Sequence, residues 1–363
     1  MVIDMSKKIA FLINDLSHAG GTERVTTVIA NELHKIGYHI VIYILNPSET
    51  SFFELNDKIK IKSINKNGTS GVKKLLTGVF RLWNEVRNDD IDILISVDST
   101  LSLYALPATI TRKKRTKNIC WEHFNFMSNL DKKSRDIGRK ISALYSDKVV
   151  VLTDQDKGFW ENSFGTTRGN IIRIHNPSAF SLEDVYSPDS RTILCVGRLV
   201  EQKGFDLILK AWKLLPRDLD WELVIVGDGP QKGFLETYIS ENNLDNVRLV
   251  PSTLNIKEYY NKAGVFCLPS RFEGYVLVLV EALTFALPSI AFDCETGPAE
   301  IMQNDSGILV PKENVEIFAD KISMLINDSE LRGKYSERAF MQAKNFSITS
   351  ISRQWVDLIE NTL

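Results

Sequence analysis

Short apolar runs recur along the 363-residue chain, separated by segments of helical length. They lie at residues 9–13, 39–45, 58–64, 93–97, 118–121, 149–152 and 171–175, and again at 193–196, 222–226, 247–250, 265–268, 289–292 and 308–310. Most are unbroken runs of Val, Ile and Leu. That is the pattern of strands in a parallel sheet covered by helices on both faces. Strand and helix alternate throughout, which predicts two doubly wound α/β domains. Residues 176–191 hold Pro177, Ser178, Ser181, Ser187 and Pro188 and have no periodicity,. The expected layout is a first domain over 1–178, a linker over 179–190 and a second domain over 191–345. An amphipathic terminal helix over 346–363 is expected to pack back toward the first domain.

Composition is that of a soluble globular protein, with 44% hydrophobic and 25% charged residues,. The net charge of −2 hides an asymmetry. Residues 1–180 carry 26 Lys and Arg against 19 Asp and Glu, and the remainder 18 against 27, so an anionic partner is expected at the first half,. The first eight residues are too polar for a signal peptide. The longest apolar stretch, 275–292, is interrupted by Glu281 and Pro288 and does not predict a membrane span,. Cys120, Cys195, Cys267 and Cys294 are widely separated, without metal-ligand spacing, and are expected as reduced core residues of a cytoplasmic protein,. No metal site is expected.

Four constellations carry chemistry. The first is the segment from Asn14 through Gly20-Gly21-Thr22-Glu23, directly after the first strand. Adjacent glycines there expose amide N–H groups at a helix start and suit a phosphate, or form an ordinary strand-to-helix turn. The second is Gly197-Arg198 with Lys203-Gly204, after the first strand of the second half. Two cations at a strand's carboxyl end suit a diphosphate; the alternative is a solvated loop with an Arg198–Glu201 pair.

The third runs from Ser270 to Leu283. Glu281 is the sole ionisable group in an apolar helix expected to be buried all round,. Such a carboxylate costs several kcal/mol unless satisfied. A ribose diol or a buried Arg or Lys would serve. Glu273 lies in the loop before the helix, where the amides of Val276 and Leu277 face the same spot and suit a phosphate or sugar oxygen. The fourth is Trp121-Glu122-His123-Phe124-Asn125, which hangs His123 at the end of an apolar strand; a structural histidine is the alternative.

Together these residues resemble the family 4 retaining glycosyltransferases of the GT-B class, over essentially the whole chain. The most specific feature is the Glu, seven residues, Glu signature from Glu273 to Glu281. Gly20-Gly21-Thr22-Glu23, Gly197-Arg198, Lys203-Gly204 and Val226-Gly227-Asp228-Gly229-Pro230 support it. The resemblance implies two Rossmann-like domains facing across a cleft. It implies that Glu273 positions the donor sugar and Glu281 binds the ribose. Arg198 and Lys203 would hold the diphosphate, and Gly21 would offer its amide to the same phosphates. His123 would orient a sugar hydroxyl. Gly20, Gly227, Gly274, Tyr275, Val276 and Leu277 complete the implied donor-binding set. Such enzymes need no metal or other cofactor. Val276 stands where the family often has Pro or Gly, and Pro251 where a Gly commonly precedes the base.

The run from Ala291 to Pro298 is similar to bacterial enzymes that build capsule, O-antigen or other surface polysaccharide, which mostly use UDP-sugars. A lipid-linked saccharide acceptor is therefore expected. Arg112-Lys113-Lys114-Arg115-Thr116-Lys117, and Lys132-Lys133 with Arg135, Arg139 and Lys140, are interleaved with Trp121, Phe124 and Phe126. They predict a basic face, either solvated or resting on the anionic inner leaflet of the plasma membrane. No nucleic-acid motif accompanies the charge. A nucleotide-sugar epimerase or hydrolase of similar build, or a non-catalytic sugar-nucleotide-binding protein, are the alternative readings.

Overall fold

The computed structural model describes residues 6–47, 49–65, 71–110, 116–127, 133–165, 170–182 and 186–363. The chain forms two compact units, one of residues 1–179 with Ile348–Leu363, the other Phe180–Ser347.

In the first unit the strands are β1 (Lys8–Ile13), β2 (His39–Ile44), β3 (Lys60–Ser63), β4 (Ile93–Val97), β5 (Lys117–Trp121), β6 (Lys148–Val151) and β7 (Asn170–Arg173). Helices α1 (Gly21–Ile36), α2 (Gly71–Asn88), α3 (Ser102–Ile110), α4 (Lys133–Tyr145) and α5 (Asp154–Phe164) connect them. The sheet order is β3-β2-β1-β4-β5-β6-β7, all parallel. Strands β1 and β4 are apolar along almost their whole length because helices cover both faces,.

The second unit repeats the plan. Its strands are β8 (Thr192–Val196), β9 (Glu222–Val226), β10 (Val247–Val250), β11 (Val265–Leu268), β12 (Ser289–Phe292) and β13 (Ile308–Val310), in parallel order β10-β9-β8-β11-β12-β13. Its helices are α6 (Phe205–Lys213), α7 (Lys232–Glu241), α8 (Ile256–Lys262), α9 (Leu277–Thr284), α10 (Pro298–Ile301), α11 (Val315–Asn327) and α12 (Ser329–Ala343). Alternation along β8 shows the two-sided core. Ile193 and Cys195 pack with Leu209, Trp212 and Ile322, whereas Leu194 packs with Phe266, Leu279 and Leu283 on the other face,. All four cysteines are reduced and buried. Among the described residues, no helix is long and apolar enough to cross a membrane.

The last helix, α13 (Ile348–Thr362), belongs to the first unit. Trp355 meets Trp121 edge-on at 4.8 Å between ring centroids, and both are fully buried. Tyr38 donates to Glu360 at 2.5 Å from the end of the turn after α1. Trp355 therefore covers the carboxyl end of β5, where His123 begins. Trp355→Ala is expected to destabilise the first unit by about 3–5 kcal/mol, the usual cost of removing a fully buried indole. Urea unfolding followed by far-UV circular dichroism measures it, and a loss below ~1 kcal/mol would show that α13 is an accessory.

Candidate active site

Loops at the carboxyl ends of an open parallel sheet diverge where the strand order reverses, and leave a crevice there. In the second unit that place lies between β8 and β11, so residues 197–204 and 269–276 border it. In the first unit it lies between β1 and β4, with the loop after β5 alongside. The sequence motifs singled out above fall on these loops.

In the second unit, close backbone approach explains the glycines. Gly204 has φ +65°, and a Cβ there would stand 1.9 Å from the Pro269 carbonyl oxygen,. A Cβ on Gly227 would stand 1.9 Å from the Gly197 carbonyl oxygen, so the loops after β8 and β9 pack backbone to backbone. Lys203 then reaches Glu273, with Nζ 2.7 Å from Oε1. Ser270 Oγ donates to the same oxygen at 2.6 Å. Thr296 Oγ1 donates to the Glu273 carbonyl at 2.5 Å, and the Cys294 thiol donates to the Ser270 carbonyl at 3.0 Å. The Glu273 carboxylate is thus almost wholly buried but charge-paired,.

The same two loops are tied by a bond set that the sequence reading missed. Arg271 donates to Asp206 through both terminal nitrogens at 2.7 Å, and its backbone and Nη1 donate to the carbonyls of Gln202 and Glu201 at 2.8 Å. Burial raises the Asp206 pKa, but the guanidinium outweighs it and the carboxyl lies below its usual range,. Arg198 is exposed, and among the described residues its side chain makes no hydrogen bond or ion pair.

Glu281 sits on α9, buried, and Tyr260 donates to its Oε2 at 2.9 Å. Tyr260 is itself fully buried and stacks on Phe285 at 5.1 Å. A hydroxyl does satisfy this acid, from a residue on α8 that pattern reading does not single out. The helix is shorter than expected. It begins at Leu277, with Val276 as an N-cap that has no side-chain cap, and Leu277 and Val278 are half-buried instead of enclosed. Gly274 and Tyr275 lie half-buried between Glu273 and that helix start.

In the first unit, α1 begins at Gly21 after the uncapped Gly20. The Glu23 carboxylate folds over Gly20, where a Cβ would meet its Oε2 at 2.0 Å. Burial raises the Glu23 pKa, so a phosphate at this helix start requires Glu23 to turn away or take a proton,. Asp15, on the same loop, accepts from Ser17 and Asn46. Burial raises its pKa, and these bonds outweigh it and lower the net value.

His123 is held by a buried charged network. The backbone N–H groups of His123 and Phe124 both donate to Glu122 Oε1 at 3.1 Å. Arg139 takes the other carboxylate oxygen at 3.3 Å and donates to the carbonyls of Phe126 and Asn125. Arg135 pairs with Asp98 at 2.9 Å and stacks over the Phe124 ring at 4.0 Å. Asp98, at the end of β4, has φ +106°, a strained backbone for a non-glycine residue,. Desolvation and the Asp98 charge lift the Glu122 pKa, with Arg139 opposing, to about 7. The His123 ring lies 4.4 Å from that of Trp121, and its buried Nε2 has no hydrogen-bond partner among the described residues. Desolvation lowers its pKa to about 4, so the ring is neutral near pH 7,.

This network corrects the expected basic face. Arg135 and Arg139 point inward and are paired, and Trp121 is fully buried. Lys117 pairs with Asp147 at 3.5 Å and Thr116 is buried. Lys133 and Lys140 are exposed. Residues 111–115 and Lys132 lie outside the described residues. For Arg135 and Arg139 the surface expectation fails because two acids at the ends of β4 and β5 draw both out of solvent.

Known proteins share this build. A family model described as Glycosyltransferase Family 4 matches residues 19–178, and one described as Glycosyl transferases group 1 matches residues 184–342. An uncharacterized glycosyltransferase of Haemophilus influenzae is 33% identical over 97% of this chain and 100% of its own length. The amylovoran biosynthesis glycosyltransferase AmsD of Erwinia amylovora is 31% identical over 97% and 99%. An α-1,4-N-acetyl-D-galactosaminyltransferase of Campylobacter jejuni, named for a diphospho-undecaprenol-linked saccharide, is 28% identical over 97% and 98%. Among solved structures, the lipopolysaccharide outer core galactosyltransferase WaaB matches with a TM-score of 0.79 over 98% of this chain and 100% of its own, at 21% identity. HepE of Anabaena, in complex with UDP, matches at 0.81 over 98% and 100%, at 15% identity. These likenesses show the GT-B fold. With glycosyltransferase models matching both halves and a whole-length relative at 33% identity, the chain belongs to the family 4 glycosyltransferases.

Proposed function

We propose that this glycosyltransferase is retaining and metal-independent. It takes a hexose or N-acetylhexosamine from a UDP-sugar and passes it to a lipid-linked saccharide in bacterial surface-polysaccharide synthesis. The observation that carries the reading is the Lys203–Glu273 contact at the reversal point of the second sheet, beside the uncommitted cation Arg198. The UDP bound to HepE supports the donor class. The diphospho-undecaprenol-linked saccharide in the name of the Campylobacter enzyme supports the acceptor class, and the amylovoran biosynthesis in the name of AmsD supports the polysaccharide context.

In this reading the bond between the sugar carbon and the β-phosphate oxygen breaks, and its electron pair leaves with the nucleotide. Arg198 and Lys203 take up the developing charge through charge-assisted hydrogen bonds, a role that a divalent cation fills elsewhere. The acceptor hydroxyl bonds to the same face of the sugar carbon and gives its proton to the departing phosphate oxygen. Glu273, fixed by Ser270 and Lys203, accepts from donor-sugar hydroxyls. Glu281 accepts from the ribose, with Tyr260 holding the carboxylate in place. Neutral His123 offers its unpartnered Nε2 to a sugar hydroxyl.

Arg198→Ala or Lys203→Ala is expected to lower kcat at least 100-fold, a loss of about 2.7 kcal/mol in transition-state stabilisation. Near-normal turnover in either variant overturns the assignment. UDP-, GDP- and ADP-sugars compared by thermal shift identify the donor, since a ligand at ~100 times its Kd adds about 2.7 kcal/mol of stability. Tyr260→Phe should weaken donor binding about fivefold, one hydrogen bond's worth, with KM rising more than kcat falls. An unchanged KM would detach Glu281 from the nucleotide.

Acid stability tests the histidine environment. His123 and His175 are both held neutral, with folded pKa values of about 4, chiefly by burial. The unfolded chain binds protons near the ordinary value of ~6.5, so the unfolded state gains protons first as pH falls. Each histidine's contribution should therefore decline from about pH 6.5 to 4, by roughly 3 kcal/mol at most, while Glu122 and Asp156, whose pKa values burial raises to about 7 and about 6, contribute in the opposite sense,. His123→Gln should flatten the decline in urea titrations, and an unaltered slope would show that the ring is solvated.

A further inference from the structure

We propose that Arg271 is a positioning residue for the transfer reaction: its guanidinium fixes the turn that carries Lys203, and so sets where that ammonium stands against Glu273 and an arriving diphosphate. The inference rests on the diphosphate role proposed for Lys203 and deepens it. Lys203 closes a single short turn, Glu201–Lys203, that starts at Val200 without a side-chain cap and ends at the left-handed Gly204. Carbonyls at the end of such a turn have no partner further along it and must find one elsewhere. Gly204 gives its N–H to the Glu201 carbonyl at 3.1 Å. Arg271 supplies two more bonds from the far side of the strand-order reversal. Its Nη1 donates to the Glu201 carbonyl and its backbone N–H to the Gln202 carbonyl, both at 2.8 Å.

The guanidinium is itself held from three directions. Asp206, in the first turn of α6, accepts from Nη1 and Nη2 at 2.7 Å each, and Nε stands 3.7 Å from the Glu313 carboxylate on the loop after β13. Gln202 returns a bond from its Nε2 to the Phe272 carbonyl at 3.0 Å. Residues 201 and 202 are therefore held by 271 and 272, and the next pair along both segments, Lys203 and Glu273, closes at 2.7 Å. A planar fork serves two carboxylate oxygens and a carbonyl at once, which an ammonium on a flexible stem does not. The four-carbon stem of Lys203 does not fix its own charge, so the placement of the turn decides which positions that charge reaches. A group about 1 Å from its productive place can lose roughly 100-fold in rate. Loss of Arg271 thus leaves the Lys203 charge in the molecule but out of register. A role in folding alone has a different consequence, lower stability with unchanged kinetics in the protein that remains folded.

A double-mutant cycle on the full chain tests the proposal, with turnover read as UDP released from the UDP-sugar that most stabilises the protein. Arg271→Ala should lower kcat about 30- to 100-fold while the donor KM changes less than about threefold. Made in the Lys203→Ala background, the same substitution should cost less than about threefold more, because the residue that it places is gone. A crystal structure of Arg271→Ala should show the Lys203–Glu273 contact opened beyond ~4 Å, the limit of an ion pair. Added guanidinium ion at non-denaturing concentration should raise the turnover of Arg271→Ala and leave that of the wild type unchanged. Asp206 keeps Lys210 at 3.5 Å when the guanidinium is lost, so the variant is expected to fold, which cooperative thermal melting checks. Should it not melt cooperatively, Arg271→Lys carries the same test, since it leaves a cation beside Asp206 without the fork. Kinetic losses that multiply, an intact Lys203–Glu273 contact, or normal kcat in Arg271→Ala while Lys203→Ala is impaired would each overturn the proposal. Normal turnover in Lys203→Ala, with the contact opened in Arg271→Ala, would instead remove the diphosphate role of Lys203 and leave the hold of Arg271 on that side chain standing.

Discussion

A carboxylate removed from water demands a partner, and the loops around both sheets are arranged by that demand. Glu273 is met by Lys203 and Ser270, Asp206 by both arms of Arg271, and Glu281 by Tyr260. In the first unit Glu122 is met by Arg139 and Asp98 by Arg135. Each pair joins segments distant in sequence, so each also fixes the position of a loop that strand pairing alone leaves undetermined. Removing one member would strand the other, which costs more than the pair itself contributes. These polar bonds hold the loops alongside the core contacts of Leu199 and Val276.

Parallel strand order explains where those acids stand. Connections on either side of the reversal between β8 and β11 run to opposite faces of the second sheet, which opens a crevice at the carboxyl ends of its strands,. Lys203 comes from one side of the reversal and Glu273 from the other, and the Arg271–Asp206 pair locks the two sides together. The glycines are the counterpart of these bonds. Gly204 and Gly227 let the backbones approach to distances that a Cβ would forbid, so the charged side chains converge instead of splaying.

Strands were legible because parallel-sheet burial writes continuous apolar runs. Those at 93–97, 222–226, 247–250, 265–268, 289–292 and 308–310 coincide with β4, β9, β10, β11, β12 and β13. Edge strand β3 is shorter than its expected span of 58–64, since its pattern of Lys and half-buried residues carries little signal at the ends. The charged motifs of the second unit were legible from spacing, but their bonds were not. Tyr260 comes from a separate helix, and nothing in α8 marks its hydroxyl as the partner of Glu281. Helix α4 inverts the usual rule. Arg135 and Arg139 are buried while Ile137 is 54% exposed, so the apolar residue faces solvent and the cations face the acids at the ends of β4 and β5. Periodicity records which positions share a face, whereas partners across the fold decide which face turns inward.

Lys203 and Arg198 differ in a way that bears on the proposed reaction. Arg198 is exposed and uncommitted, whereas Lys203 is already bonded to a buried acid. A diphosphate would compete with Glu273 for the ammonium, and unit charges about 4 Å apart attract by roughly 4 kcal/mol near a protein surface. Because the diphosphate carries more charge than one carboxylate, it can draw Lys203 partly away. Glu273 is not abandoned when that happens, since Ser270 donates to the same oxygen. The carboxylate then keeps one fixed donor and gains acceptor capacity for a sugar hydroxyl at the moment the phosphates arrive. In the proposed reaction, arrival of the phosphates would therefore free Glu273 for a sugar hydroxyl, and a donor lacking its diphosphate would leave Glu273 closed by Lys203. Coupling of this kind favours the intact nucleotide sugar over free sugar without any change in backbone conformation.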